Sequence, residues 1–161
     1  MKERTNDVVK KIVRTCIIAI PESLHLAILK EFHGFSGILN FSQTIKDLIV
    51  IDQMQVFGIS NEMQIILRHI NQLRMLGSMN AITKAFQKEY EEKHKRTVVV
   101  VSLAKEQDIS FDELTQFLNQ KVPQPADIIF KTQNTVGISV HFESSVLEYT
   151  PDSIIKTLRV A

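Results

Sequence analysis

The stretch Glu91-Glu92-Lys93-His94-Lys95-Arg96-Thr97-Val98-Val99-Val100-Val101 changes character halfway along. Its first half closes a charge-saturated run that begins at Lys88, and its second half ends in four valines in a row. Mixed charge at i to i+4 spacing suits a solvated helix end, whereas consecutive valines suit a strand buried on both faces. The chain therefore reads as α+β, with a helical bundle over 1–96 and a small α/β domain over 97–161.

Upstream of this boundary apolar residues recur at three and four positions, the period of a helix with one buried face. Asp7 is expected to cap a helix in which Val9, Ile12, Val13, Cys16 and Ile17 share a side. Pro21 suits the first turn of a second helix, Glu22 to Phe32, with Leu24, Ile28 and Leu29 inward and Gly34 and Gly37 at its end. Phe41 to Ile51 is read as helix with Ser42 as cap, although Leu48-Ile49-Val50-Ile51 would also suit a strand. Ser60 caps the stripe Met63, Ile66, Leu67, Ile70 and Leu73, which is expected to stop at Gly77-Ser78. A further helix from about Asn80 to His94 places Ile82, Ala85, Phe86 and Tyr90 on one side.

Downstream the pattern is period two or continuous. Ser110-Phe111-Asp112-Glu113 is a capping box, so a helix should start at Phe111 with Leu114, Phe117 and Leu118 inward. Asp127 to Thr132 and Val136 to Glu143 read as two strands of a hairpin joined by Gln133-Asn134-Thr135, and Val146 to Tyr149 as a third short strand. Thr150-Pro151-Asp152 is a helix start, with Ile154, Ile155 and Leu158 facing inward. The second domain is thus expected to be β-α-β-β-α, a three- to four-stranded sheet covered by two helices.

Composition excludes several classes. With 161 residues, 44% hydrophobic, 23% charged, five Gly and four Pro, the chain is globular in composition. A formal charge of +1 supplies no field towards nucleic acid or anionic lipid. The single Cys16 forbids an intramolecular disulfide or a multi-cysteine metal site and suits a reducing compartment. Arg14 interrupts the apolar run Ile12 to Ile20, no small-residue cleavage site follows, and nothing approaches the ~20 apolar residues of a membrane span. A location on the cytosolic side of a membrane is expected.

Catalytic and metal signatures are missing too. His25, His33, His69, His94 and His141 form no i, i+4 pair and adjoin no cysteine, so surface or capping roles are expected for each. Gly34-Phe35-Ser36-Gly37 lacks the Lys and the strand of a phosphate loop. Glu91 and Glu92 are adjacent on a helix and point apart, and Asp112 and Glu113 are explained by capping. No aromatic residue alternates with a Lys/Arg cluster as a base-stacking platform would. No catalytic residue, cofactor, metal or small-molecule substrate is expected, and an adaptor working through its surfaces is the simplest reading.

The segment Ile128-Ile129-Phe130-Lys131-Thr132-Gln133-Asn134-Thr135-Val136-Gly137-Ile138-Ser139-Val140-His141, followed by Val146-Leu147-Glu148-Tyr149-Thr150 and then Ile155 and Leu158, resembles the end of the delta subunit of bacterial F-type ATP synthase. The oligomycin-sensitivity-conferring protein is its mitochondrial counterpart. Gly137 falls on the family's second glycine, Ile138 and Val140 on its strand, Glu148 on the acid and Thr150 on the hydroxyl of the turn. Leu73-Arg74-Met75-Leu76, the helix through Phe86 and Tyr90, and Val98 to Ala104 are similar to the elements before it, so the likeness covers roughly 60–161. Val136, Tyr149 and Asp152 depart from the family pattern, and the N-terminal region is shorter than the family's six helices.

The resemblance implies a non-catalytic stator subunit. Its helical domain would hold the amphipathic N-terminal helices of alpha subunits, and its C-terminal domain would receive the C-terminal end of the b-subunit stalk. Held so at the cytoplasmic face of the bacterial inner membrane, it would resist rotor torque during ATP synthesis. The stripes Val9, Val13, Ile17 and Met63, Ile66, Ile70 are the candidate groove, with the bundle's own core as the competing reading. A helical adaptor or RNA-associated bundle unrelated to ATP synthase is the alternative, and an enzyme with scattered site residues is a third.

Overall fold

The computed structural model describes residues 2–35, 38, 40–104, 110–133, 138–142 and 145–149. Among them are six α-helices and one mixed sheet, with helix in the majority. Internal contacts divide the chain into two compact units, Met1–Lys93 and His94–Ala161.

The first unit holds α1 (Lys2–Ala19), α2 (His25–Phe35), α3 (Phe41–Val50), α4 (Asn61–Gln72) and α5 (Met79–His94). Helix α1 begins well before Asp7, which is exposed inside it and caps nothing. Pro21 precedes a short 3-10 turn, Glu22–Leu24, and α2 proper starts only at His25. His25 is fully buried there, and its Nε2–H donates to the carbonyls of Ile17 and Ile20 at 3.1 and 3.0 Å. Carbonyls at the end of a helix have no partner within it, so His25 completes the C-terminus of α1 from the next helix. Its ring also stands nearly perpendicular to that of Phe86 on α5, which packs at a tilt against Phe32 of α2 at 5.2 Å.

Helix α3 takes Asn40, in the left-handed region at φ 54°, as the residue before its first turn, so Ser42 lies within the helix. Ser60 caps α4 as the sequence suggests, its hydroxyl accepting from the Met63 N–H. Glu31 on α2 adds a bond that the sequence does not announce. Its two carboxylate oxygens accept from the Ser60 N–H at 2.9 Å and the Ser60 hydroxyl at 2.6 Å.

Helices α3 and α4 each close on a left-handed residue that is not glycine. After α3, Asp52 takes φ 54° while the Gln53 N–H reaches the Leu48 carbonyl and the Asp52 N–H the Ile49 carbonyl. After α4, Arg74 takes φ 56°, with Met75 bonded to Ile70 and Arg74 to Asn71. Both are Schellman closures, in which the residue past the cap is left-handed and the last carbonyls are satisfied. Gly34 is therefore not a stop but a member of α2, and Gly77 lies in a separate 3-10 turn, Leu76–Ser78.

The second unit contains β1 (Thr97–Ala104), α6 (Phe111–Lys121), β2 (Ala126–Gln133), β3 (Ile138–Phe142) and β4 (Ser145–Tyr149). Strand order is β2-β1-β3-β4. The expected β2–β3 hairpin is thus not formed, because β1 lies between those strands, parallel to β2 and antiparallel to β3. The hairpin pair is β3–β4. The physical reason lies in β1. Val98, Val99, Val100 and Val101 are all buried, so the most apolar strand takes the centre and its neighbours flank it. Crossing two strand spacings needs about 10 Å, within reach of the four residues that separate β2 from β3.

One face of the sheet is built in rows. Ile128, Val99 and Phe142 stand in register across three strands, as do Phe130, Val101 and Val140. Leu114, Phe117 and Leu118 of α6 pack on this face with Val122. Helix α6 starts as expected, with the Ser110 hydroxyl accepting from the Glu113 N–H. Arg96 ties the starts of the parallel strands together, donating to the Asp127 carboxylate at 2.7 Å and to the Ala126 carbonyl at 3.2 Å. The helix expected from Pro151 onward lies outside the described residues.

Candidate partner-binding surface

The six side chains expected to line a groove are in the interior. Val9, Val13 and Ile17 on α1 and Met63, Ile66 and Ile70 on α4 are none of them more than 7% exposed. A stripe at 3.6-residue period buries itself against neighbouring helices when enough of them exist, and this unit has five. The stripes are therefore core, and no partner reaches them without opening the unit.

The outward apolar residues lie elsewhere. Val50 and Ile51 end α3, Val56 and Phe57 belong to the connection that follows, and Ile65 stands on α4; all are 59 to 83% exposed. Ile18 on α1 is equally open. The connection from Ile51 to Ser60 is tightly closed despite lacking helix. Phe57 and Ile59 both donate to the Met54 carbonyl, Val56 to Gln53 and Gly58 to Gln55. Met54 and Ile59 are buried and anchor it from below, so Val56 and Phe57 stand on a fixed support. Arg68 donates to Asp52 at 2.6 Å, and Ile65 lies one turn before Arg68 on the same side of α4. Ile65 and the end of α3 thus belong to one surface. Large contiguous apolar patches on a protein surface are a common mark of interaction sites.

The sequence signal for these residues was present but weak. Ile65 and Ile18 each adjoin a buried isoleucine or leucine yet fall off the helical stripe, and Phe57 stands beside Gly58 in a turn where polar residues are usual.

Of the residues singled out on the second unit, Ile138 and Val140 are buried in the face covered by α6. Glu148 pairs with Ser139 in the β3–β4 ladder. Gly137 and Thr150 lie outside the described residues. Lys131 on β2 is half-buried, and desolvation holds its ammonium pKa below the usual lysine value. Cys16 is buried, and the same effect pushes its thiol up to about 11, which makes it an inert member of the core.

Among the described residues no three His, Cys, Asp or Glu side chains come together as metal ligands. No single helix among them is long and apolar enough to cross a membrane. His33, Gln87 and Glu91 form a hydrogen-bonded line, at 2.8 Å and then 3.1 Å, that joins α2 to α5. Compared with known proteins, the chain matches no family model and no curated sequence.

Proposed function

We propose that this chain is a peripheral-stalk subunit of a rotary F-type ATP synthase, of the delta type, and that it acts by binding and not by catalysis. Its helical unit, read as a shortened bundle, takes the amphipathic N-terminal helix of an alpha subunit. Its α/β unit takes the C-terminal end of the b-subunit stalk. The complex thereby holds it at the cytoplasmic face of the inner membrane, and no nucleic acid, cofactor or substrate is needed for the role.

The observation that carries the reading is the fixed apolar surface of Val50, Ile51, Val56, Phe57 and Ile65, set on a unit whose own core is already filled. A surface of this kind suits the apolar face of one partner helix. The sequence likeness over 60–161 supplies the identity of that partner. Along the chain the elements of that stretch run β1, α6, β2, β3, β4.

The test is calorimetric titration of the purified chain with a peptide copying the first twenty or so residues of the alpha subunit from the same source. Saturable one-to-one binding is expected, weakened at least about tenfold by Phe57→Glu or Ile65→Glu, since each places a charge in an apolar contact. No heat at high peptide concentration, or full binding by both variants, would sink the assignment.

A further inference from the structure

A second feature of the helical unit stands independently of that assignment. Between α2, α3 and the start of α5 lies a cleft of about 200 Å³, walled by the rings of Phe32, Phe35 and Phe41 and by Leu76 and Met79. Its polar lining is Ser42 on α3 and Asn80 and Thr83 on α5. Asn80 and Thr83 are one turn apart and so share a side of the helix, a side that Gln87 continues one turn further on.

Thr83 is the anomaly. It is 95% buried by its 5% exposure, and its hydroxyl makes no hydrogen bond with another described residue. A threonine inside a helix ordinarily bonds the carbonyl four residues back, as Thr15 does to Lys11 at 2.8 Å. Buried polar groups left unsatisfied are rare, and a missing bound molecule is one standard cause. The neighbouring polar residues do not relieve it: the Gln87 amide is engaged with His33 and Glu91.

We infer that this cleft is a binding site for one aromatic ring carrying a hydroxyl, the phenol type of ligand. Size sets the ring: an apolar cavity of about 150 Å³ holds benzene, so about 200 Å³ leaves room for one or two further heavy atoms. Three phenylalanine walls favour an aromatic guest through edge and offset contacts. The Thr83 hydroxyl, unpaired among the described residues, with Ser42 and Asn80 on the same lining, selects a guest with a donor and acceptor of its own.

The structure also supplies a plug. A Cβ added at Gly77, which lines the cleft, meets no atom within 4 Å. Gly77→Leu therefore adds bulk at the edge of the cleft with no clash at its Cβ.

The experiment titrates the labelled full-length chain with p-cresol and with toluene, which differ by the hydroxyl alone, and follows backbone amide resonances. The expected result is saturable shifts at Gly77, Asn80 and Thr83, with p-cresol bound at least about threefold more tightly than toluene. Thr83→Val, which keeps the shape, is expected to bring that ratio to about one, and Gly77→Leu to weaken both ligands about tenfold or more. Should Gly77→Leu lose its folded spectrum, the smaller plug Gly77→Ala is read in its place. N-acetyl-tyrosinamide forms a third arm: binding as tight as p-cresol assigns the guest to a partner's tyrosine, and weaker binding assigns it to a free phenol. The proposal is overturned by non-saturating shifts, by shifts confined to other residues, or by an unchanged p-cresol preference in Thr83→Val. Loss of alpha-helix binding with p-cresol binding intact would defeat the stalk assignment alone.

Discussion

Ser60 shows how one hydroxyl can hold two helices. It accepts from the Met63 N–H to start α4 and donates to Glu31 on α2, while its own N–H goes to the same carboxylate. Removing it loses a cap and a charge-assisted bond together, so Ser60→Ala should cost about 2 kcal/mol. The check is urea unfolding, in which the midpoint falls with little change in slope. Cys16 gives a pH signature. Its thiol stays protonated in the fold up to about 11, against an ordinary value of 9.0 in the unfolded chain. Between those values the unfolded chain has lost the proton and the folded one keeps it, so stability is full below pH 9.0 and falls as pH rises to about 11. The loss should reach roughly 2–3 kcal/mol, and denaturation of Cys16→Ala over the same range should lack that component. At this scale the sequence is half legible. Ser60 can be read as a cap from its neighbours, but its bond to Glu31 spans 29 residues and leaves no local trace.

Helix ends are where local rules misled. Glycine was the expected terminator at Gly34 and Gly77, yet Gly34 lies inside α2 and α4 closes on Arg74, as α3 closes on Asp52, with a left-handed backbone. A non-glycine residue in that region costs about 1 kcal/mol, which the satisfied carbonyls outweigh. Arg74→Gly should therefore raise stability by about 0.5–1 kcal/mol, seen as a higher thermal midpoint with unchanged helix content. Strands were legible one by one, through valine runs and period-two alternation, whereas their order was not. Short spacing between β2 and β3 suggested a hairpin, but pairing is decided by which strand most needs two neighbours, and that is a property of the whole sheet. The buried stripes of α1 and α4 carried a similar ambiguity. Periodicity marks a face as apolar without saying whether the chain itself or a partner covers it.

For the molecule as a whole, a formal charge of +1 has a direct experimental meaning. The association proposed with an alpha-subunit helix through Val50, Ile51, Val56, Phe57 and Ile65 would rest on apolar contact, with Arg68 already paired to Asp52. Affinity measured between about 50 and 300 mM salt should change less than about threefold, in contrast to the steep loss that defines phosphate-backbone binding. A strong salt dependence would move the RNA-associated reading ahead. Only two residues, Lys95 and Arg96, separate the end of α5 from the start of β1. A pull transmitted along the chain from the helices thus enters the sheet through the strand that is bonded on both sides. Eight residue pairs join β1 to β2 and five join it to β3. Drawn along its length, β1 must shear both ladders at once, whereas an edge strand can be peeled away one bond at a time. The position of the valine strand makes this junction a mechanical clamp that resists extension.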